Sequence, residues 1–259
     1  MFEANERAVA EALVHYLAGD VRSGVWPFEI ITIGGDDVLA FVPAHRALEI
    51  ALSIAEHFEQ DMQGTGISLS VGVMLMPDAT PVRFARELVE QLLKSAKKRS
   101  KQQHIGSTID FLSLKGTTMI AETIERYRSA TFLREDRTAV TAKPRPSLTQ
   151  RPYSVEELRR LIAACRELKR SGFPRSQLYQ LREIVMDGQL LQSMIDYRYF
   201  VGRGTSQAYE AFEREMERLC DDERWLPWRS RQEQKGVIYD TPLLDLIEIY
   251  PFVEAGGEA

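Results

Sequence analysis

Four residues, Gly34-Gly35-Asp36-Asp37, set between two short apolar runs, constrain this chain more than any other feature. Phe28 to Ile33 precedes the tetrad and Val38 to Val42 follows it. Two β-branched runs joined by glycine and aspartate predict a β-hairpin, because glycine supplies the backbone conformations that tight turns require. Pro43 ends the second run, since it has no N–H to give a strand partner. The tip therefore presents two adjacent carboxylates on fixed backbone, beside two residues whose missing side chains leave room for close approach.

The surrounding pattern alternates helix and strand. Val9, Ala12, Leu13, Tyr16 and Leu17 follow helical spacing, and Gly19 closes that segment. After the hairpin, Ala44, Ala47, Leu48, Ala51, Ile54, Ala55 and Phe58 mark one face of a helix. A strand is expected over Ile67 to Met74. A helix beginning at Pro81 follows, with Val82, Ala85, Leu88, Val89, Leu92 and Ala96 on its apolar face, and a last strand falls within Ile105 to Leu114. Residues 143–152 carry three prolines without periodicity and read as an extended linker. Beyond it the reading is helical throughout. Ser154-Val155-Glu156-Glu157 forms a capping box, and apolar stripes follow from Val155 to Leu168, Leu178 to Val185, Ala208 to Leu219 and Leu243 to Ile247. The expected organisation is a first domain over 1–142, the linker over 143–152, and a helical bundle over 153–259.

Composition narrows the function classes. Across 259 residues the net charge is −5 and 44% of residues are hydrophobic, as in a globular protein that is not a general polyanion binder. No apolar run approaches the ~20 residues of a membrane span. The acidic start, Met1-Phe2-Glu3, is unlike a secretory signal. Cys165 and Cys220 lack metal-site spacing and read as buried thiols of a cytoplasmic protein, and the four histidines show no ligand spacing.

The order helix, hairpin, helix, strand, helix, strand resembles the later part of a polymerase-type palm. The tetrad is similar to the Gly-Gly-Asp-Asp of the large subunit of type III CRISPR complexes. So are Leu69-Ser70-Val71-Gly72-Val73 on the next strand and Thr241-Pro242-Leu243-Leu244-Asp245-Leu246 near the end. Ala96-Lys97-Lys98-Arg99-Ser100-Lys101-Gln102 matches the family's Ala-Lys-x-x-Gly-Lys-Asn except at Ser100 and Gln102. Diguanylate cyclases carry a related turn, but with Glu-Glu or Asp-Glu in place of Asp-Asp.

The resemblance implies an α+β chain: a ferredoxin-like cyclase palm followed by an all-α bundle. It implies synthesis of cyclic oligoadenylate from ATP, in which a 3′-hydroxyl attacks an α-phosphorus and pyrophosphate leaves. Asp36 and Asp37 would hold Mg²⁺ or Mn²⁺, hard cations that take oxygen ligands. Gly34 and Gly35 would admit the nucleotide, and Lys97 and Lys101, one helical turn apart, would meet its phosphates. Ser70 is a lesser candidate for the base. Expected partners are other subunits of a CRISPR ribonucleoprotein and, through them, guide and target RNA. A palm also has a central first strand bearing another aspartate, which this chain does not show. A missing amino-terminal half or another chain is therefore expected to complete it, and the chain alone is expected to be inactive. A non-catalytic scaffold and a diguanylate cyclase-like enzyme stand as alternatives.

Overall fold

A computed structural model describes residues 2–34, 37–114, 123–134, 146–221, 223–233 and 236–256. The chain is α+β and falls into two compact units, one of residues 1–119 with 151–158, the other of residues 120–150 with 159–259.

In the first unit, α1 (Phe2–Leu17) and α2 (Ala44–Asp61) pack together. Val9, Ala12, Leu13 and Leu17 of α1 close a core with Ile50 of α2, against which Phe28, Val38 and Val42 of the hairpin region lie. The hairpin consists of β1 (Glu29–Gly34) and β2 (Asp37–Phe41), antiparallel, with a register shift between Ile30 and Thr32. A second sheet contains β3 (Ser70–Leu75), β4 (Thr108–Ser113) and β5 (Tyr153–Ser154) in that order, β3 parallel to β4 and β4 antiparallel to β5. The helix α3 (Val82–Gln103) crosses from β3 to β4 and buries Ala85, Leu88, Leu92 and Ala96, four of the six expected apolar positions. Val89 is half-buried and Val82 is exposed. Gly72 makes that packing possible, because a Cβ there would sit 2.7 Å from the Val89 carbonyl oxygen and 2.9 Å from the Leu93 nitrogen.

The second unit contains α4 (Ile124–Phe132), most of α5 (Val155–Arg170), α6 (Arg175–Met186), α7 (Leu190–Gly202), α8 (Gln207–Cys220) and α9 (Leu243–Ile249). At the start of α5 the expected capping box is formed: the Ser154 N–H donates to Glu157 Oε2 at 2.9 Å, and the Glu157 N–H donates to Ser154 Oγ at 3.2 Å. Leu158, Leu161, Ile162, Cys165 and Leu168 are buried along its length. Burial pushes the Cys165 and Cys220 thiols far up, so both stay protonated and unreactive.

This unit is not wholly helical. An antiparallel hairpin, β6 (Arg229–Glu233) and β7 (Gly236–Asp240), interrupts the helices, and buried charge holds it. Asp240 is fully buried and accepts from Arg229 Nε at 3.1 Å and Gln150 Nε2 at 2.7 Å, while Arg231 pairs with its other oxygen. The proline-rich stretch also departs from an extended linker where it is described. Leu148, Thr149 and Gln150 are buried; the Thr149 hydroxyl and Gln150 N–H both donate to Asp245 at 2.8 Å. Residues 135–145 lie outside the described residues. Among the described residues no helix is long and apolar enough to cross a membrane.

Candidate functional site

The expected site begins at the hairpin tip. Gly34 is the last residue of β1, and its ladder partner is Asp37, the first residue of β2. Two residues join them, Gly35 and Asp36, and both lie outside the described residues. Asp37 is exposed, and its position is fixed by a ladder that continues through Ile33–Val38 and Thr32–Leu39.

A cavity of about 760 Å³ opens beside this ladder. It brings together three of the expected site residues: Asp37 from β2, with Lys97 and Lys101 from the last turns of α3. Ser70, at the start of β3, lines it as well. Both lysines are exposed, and none of Asp37, Lys97 and Lys101 has an ion-pair partner among the described residues. An acceptor of positive charge at the rim and two unpaired ammonium groups within one cavity suit a ligand that carries phosphate and a cation together.

Ser100 lies between the lysines and is buried. Its hydroxyl is 3.0 Å from the carbonyl oxygens of both Ile105 and Gly106, to which it donates, and 3.3 Å from Ser68 Oγ. It therefore ties the end of α3 to the loop leading into β4, where His104 closes the helix in a left-handed conformation with φ 51°. The side chain that departs from the family pattern here is turned to structural use.

The fit to a divalent cation rests on donor chemistry. Mg²⁺ keeps several waters and takes one or two carboxylates plus phosphate oxygens rather than a full protein cage. The exposed Asp37 carboxylate on fixed backbone meets that need, and Asp36 is its neighbour in sequence. Among the described residues there is no group of three or more histidine, cysteine, aspartate or glutamate side chains of the kind that forms a closed metal site.

Among the lining residues that carried no signal in the sequence are Asp78, Thr80 and Arg86. The first two sit in the turn between β3 and α3, where periodicity gives no guide, and Arg86 reads as an ordinary solvated position on a helix. In the second unit, the tryptophans beside Arg224 and Arg229 belong to packing. Trp228 is fully buried and donates from Nε1 to Ser193 Oγ at 2.7 Å, and Trp225 meets Tyr239 edge-on.

Residues 3–105 match the family model described as Cas10/Cmr2, second palm domain. Over 96 residues the chain is 33% identical to the CRISPR system Cmr subunit Cmr2 of Pyrococcus furiosus, a stretch that covers 35% of this chain and 11% of that relative.

Proposed function

We propose that this chain, whose residues 3–105 match the second palm domain of Cas10/Cmr2, contributes the nucleotide site of the large subunit of a type III CRISPR effector. The reaction is metal-dependent joining of ATP into cyclic oligoadenylate. The observation that carries this reading is the convergence of Asp37, Lys97 and Lys101 on one cavity. In the proposed reaction the 3′-oxygen of one ATP bonds to the α-phosphorus of another, the bond from that phosphorus to the bridging oxygen breaks, and pyrophosphate leaves. The hydroxyl proton passes to water.

Asp36 and Asp37 would hold Mg²⁺ or Mn²⁺, which when bound neutralises charge on the phosphates and lowers the pKa of the attacking hydroxyl. Lys97 and Lys101 bind the triphosphate and hold it against the hairpin tip. The ladder from Gly34–Asp37 downward holds the Asp37 backbone in place as charge develops. The fold proposed for this part is a ferredoxin-like palm without its first strand, and the second unit is proposed as a helical domain that joins it to the rest of the complex.

The test is the assembly of this chain with the other subunits of a Cmr-type complex, given ATP with Mg²⁺ or Mn²⁺. Wild-type assembly makes oligoadenylate, the chain alone does not, and Asp36→Ala with Asp37→Ala abolishes synthesis without lowering the melting temperature, because Asp37 is exposed and the change removes charge rather than core volume. Unchanged turnover in the double variant would reject these aspartates as ligands.

A specific observation also favours a docking role. On α7, Leu191, Ile195 and Tyr199 are 65%, 55% and 66% exposed at successive turns of one helix face. This row suits a helical neighbouring subunit, and it gives the scaffold reading its own site.

A further inference from the structure

One charged side chain in the last turns of α3 has no part in the proposed reaction, yet it is held from several sides. Arg99 falls midway between Lys97 and Lys101, about 200° round the helix from each, and it is not among the residues that line the cavity. Its side chain is only 10% exposed. The guanidinium forks onto one carboxylate, with Nη1 donating to Glu157 Oε2 at 2.6 Å and Nη2 to Glu157 Oε1 at 3.0 Å, and Nη1 also donates to the Pro152 carbonyl oxygen. Two parallel bonds from a planar guanidinium fix orientation as well as distance.

Glu157 is itself held. It belongs to the capping box of α5, where its Oε2 accepts the Ser154 N–H at 2.9 Å. Just before the box, β5 pairs with Thr108 and Ile109 of β4, and the buried Tyr153 ring stacks on Phe111 with centroids 5.9 Å apart. Other ties at this end of α3 are local. Thr108 Oγ1 donates to the Ala96 carbonyl oxygen at 2.9 Å, and Ser100 Oγ donates to Ile105 and Gly106. The longest of these spans 12 residues of chain, whereas the Arg99 fork spans 58. The segment that carries Glu157, residues 151–158, has chain of the second unit on both flanks and lies beyond the residues that match the palm model.

We infer that Arg99 and Glu157 are positioning residues for the triphosphate: their fork sets where the last turns of α3 stand, and so where Lys97 and Lys101 can deliver charge. Phosphate affinity in the first unit then depends on a carboxylate supplied by the returning segment 151–158. The inference rests on the phosphate role proposed above for the two lysines. A lysine is a point charge on a flexible stem, so the place of its helix turn decides what it can reach. A fraying turn enlarges the volume that both ammonium groups sample and raises the ordering cost of binding. AMP, without β- and γ-phosphates, makes far less demand on them.

Charge alone and positioning predict opposite signs for one substitution. Glu157→Gln keeps an acceptor for the cap but removes the negative charge and one arm of the fork. Acting through charge alone, loss of an anion near the site would strengthen ATP binding. Positioning predicts weakening instead, by roughly fivefold or more, with AMP affinity unchanged. Arg99→Ala is expected to give the same loss, and Arg99→Lys, which keeps the charge but not the fork, to recover only part of it. Neither Glu157→Gln nor Arg99→Ala should add to the loss caused by Lys97→Ala with Lys101→Ala, since residues that act through one another are not additive. Nucleotides are titrated against the assembled complex. In the full chain without nucleotide, amide exchange across 97–104 is expected to quicken roughly tenfold in Glu157→Gln and Arg99→Ala. Unchanged or stronger ATP binding by Glu157→Gln, an additive loss in the background lacking both lysines, or unaltered exchange at the end of α3 would each overturn the inference. If instead the double lysine variant binds ATP as wild type does, the nucleotide reading itself has failed, and the inference falls with it.

Discussion

Arg83 and Arg86 on α3 each face a glutamate one turn on, at 3.3 and 3.0 Å, whereas Lys97 and Lys101 on the same helix stand without an acidic partner among the described residues. The first two are explained by their own helix. The other two are not, and they border the cavity that Asp37 enters. Charge-assisted bonds to a triphosphate are worth about 1.5–3 kcal/mol each before screening by solvent. In the assembled complex, Lys97→Ala or Lys101→Ala is expected to weaken ATP binding about tenfold while AMP affinity and melting temperature stay put. Titration of both nucleotides against each variant checks it, and equal ATP affinity in wild type and variants would leave the lysines with a helix-end role alone. At this scale the sequence was readable where chemistry restricts residue type, as in the tetrad and the paired lysines. It was silent on Thr80, which lines the cavity and is buried with no hydrogen-bond partner for its hydroxyl among the described residues, a property no single residue carries in its name.

Elements were legible in proportion to how one-sided their surroundings are. The helices α2 and α3 each bury one broad stripe, so spacing exposed them, with Pro43 and Pro81 marking their starts. No stripe marked α7, because Leu190, Leu191, Ile195, Tyr197, Tyr199 and Val201 place apolar groups nearly all round it. The β6–β7 hairpin was invisible for the opposite reason. Its first strand, Arg-Ser-Arg-Gln-Glu, has no apolar residue and is held by Arg229 and Arg231 on the buried Asp240. Only tertiary context makes that sequence a strand. The β3–α3 contact gives the sharpest prediction at this scale. Gly72→Ala forces a Cβ against helix backbone, which cannot turn aside as a side chain would. A loss of about 1–3 kcal/mol is expected, measured by urea denaturation; an unchanged midpoint would show that α3 can shift away without cost.

For the whole molecule, the resemblance read in the sequence and the family match coincide over the first hundred residues, while the second unit lies beyond the matched segment. What could not be read was discontinuity. Residues 151–158 return to the first unit after an excursion through the second, and β5 joins the sheet of β3 and β4 from far along the chain. Local periodicity carries no information about such returns. The exposed row on α7 offers the prediction proper to this scale. Leu191→Asp with Ile195→Asp is expected to leave stability within about 0.5 kcal/mol, as for solvent-facing positions, and to reduce incorporation of neighbouring subunits when the complex is purified through this chain. Full incorporation would end the docking reading. Among the described residues β2 pairs only with β1, and β3 only with β4. An uncovered strand edge is a template for self-association, so the chain held alone is expected to gather into larger species as its concentration rises, a tendency that sedimentation measures.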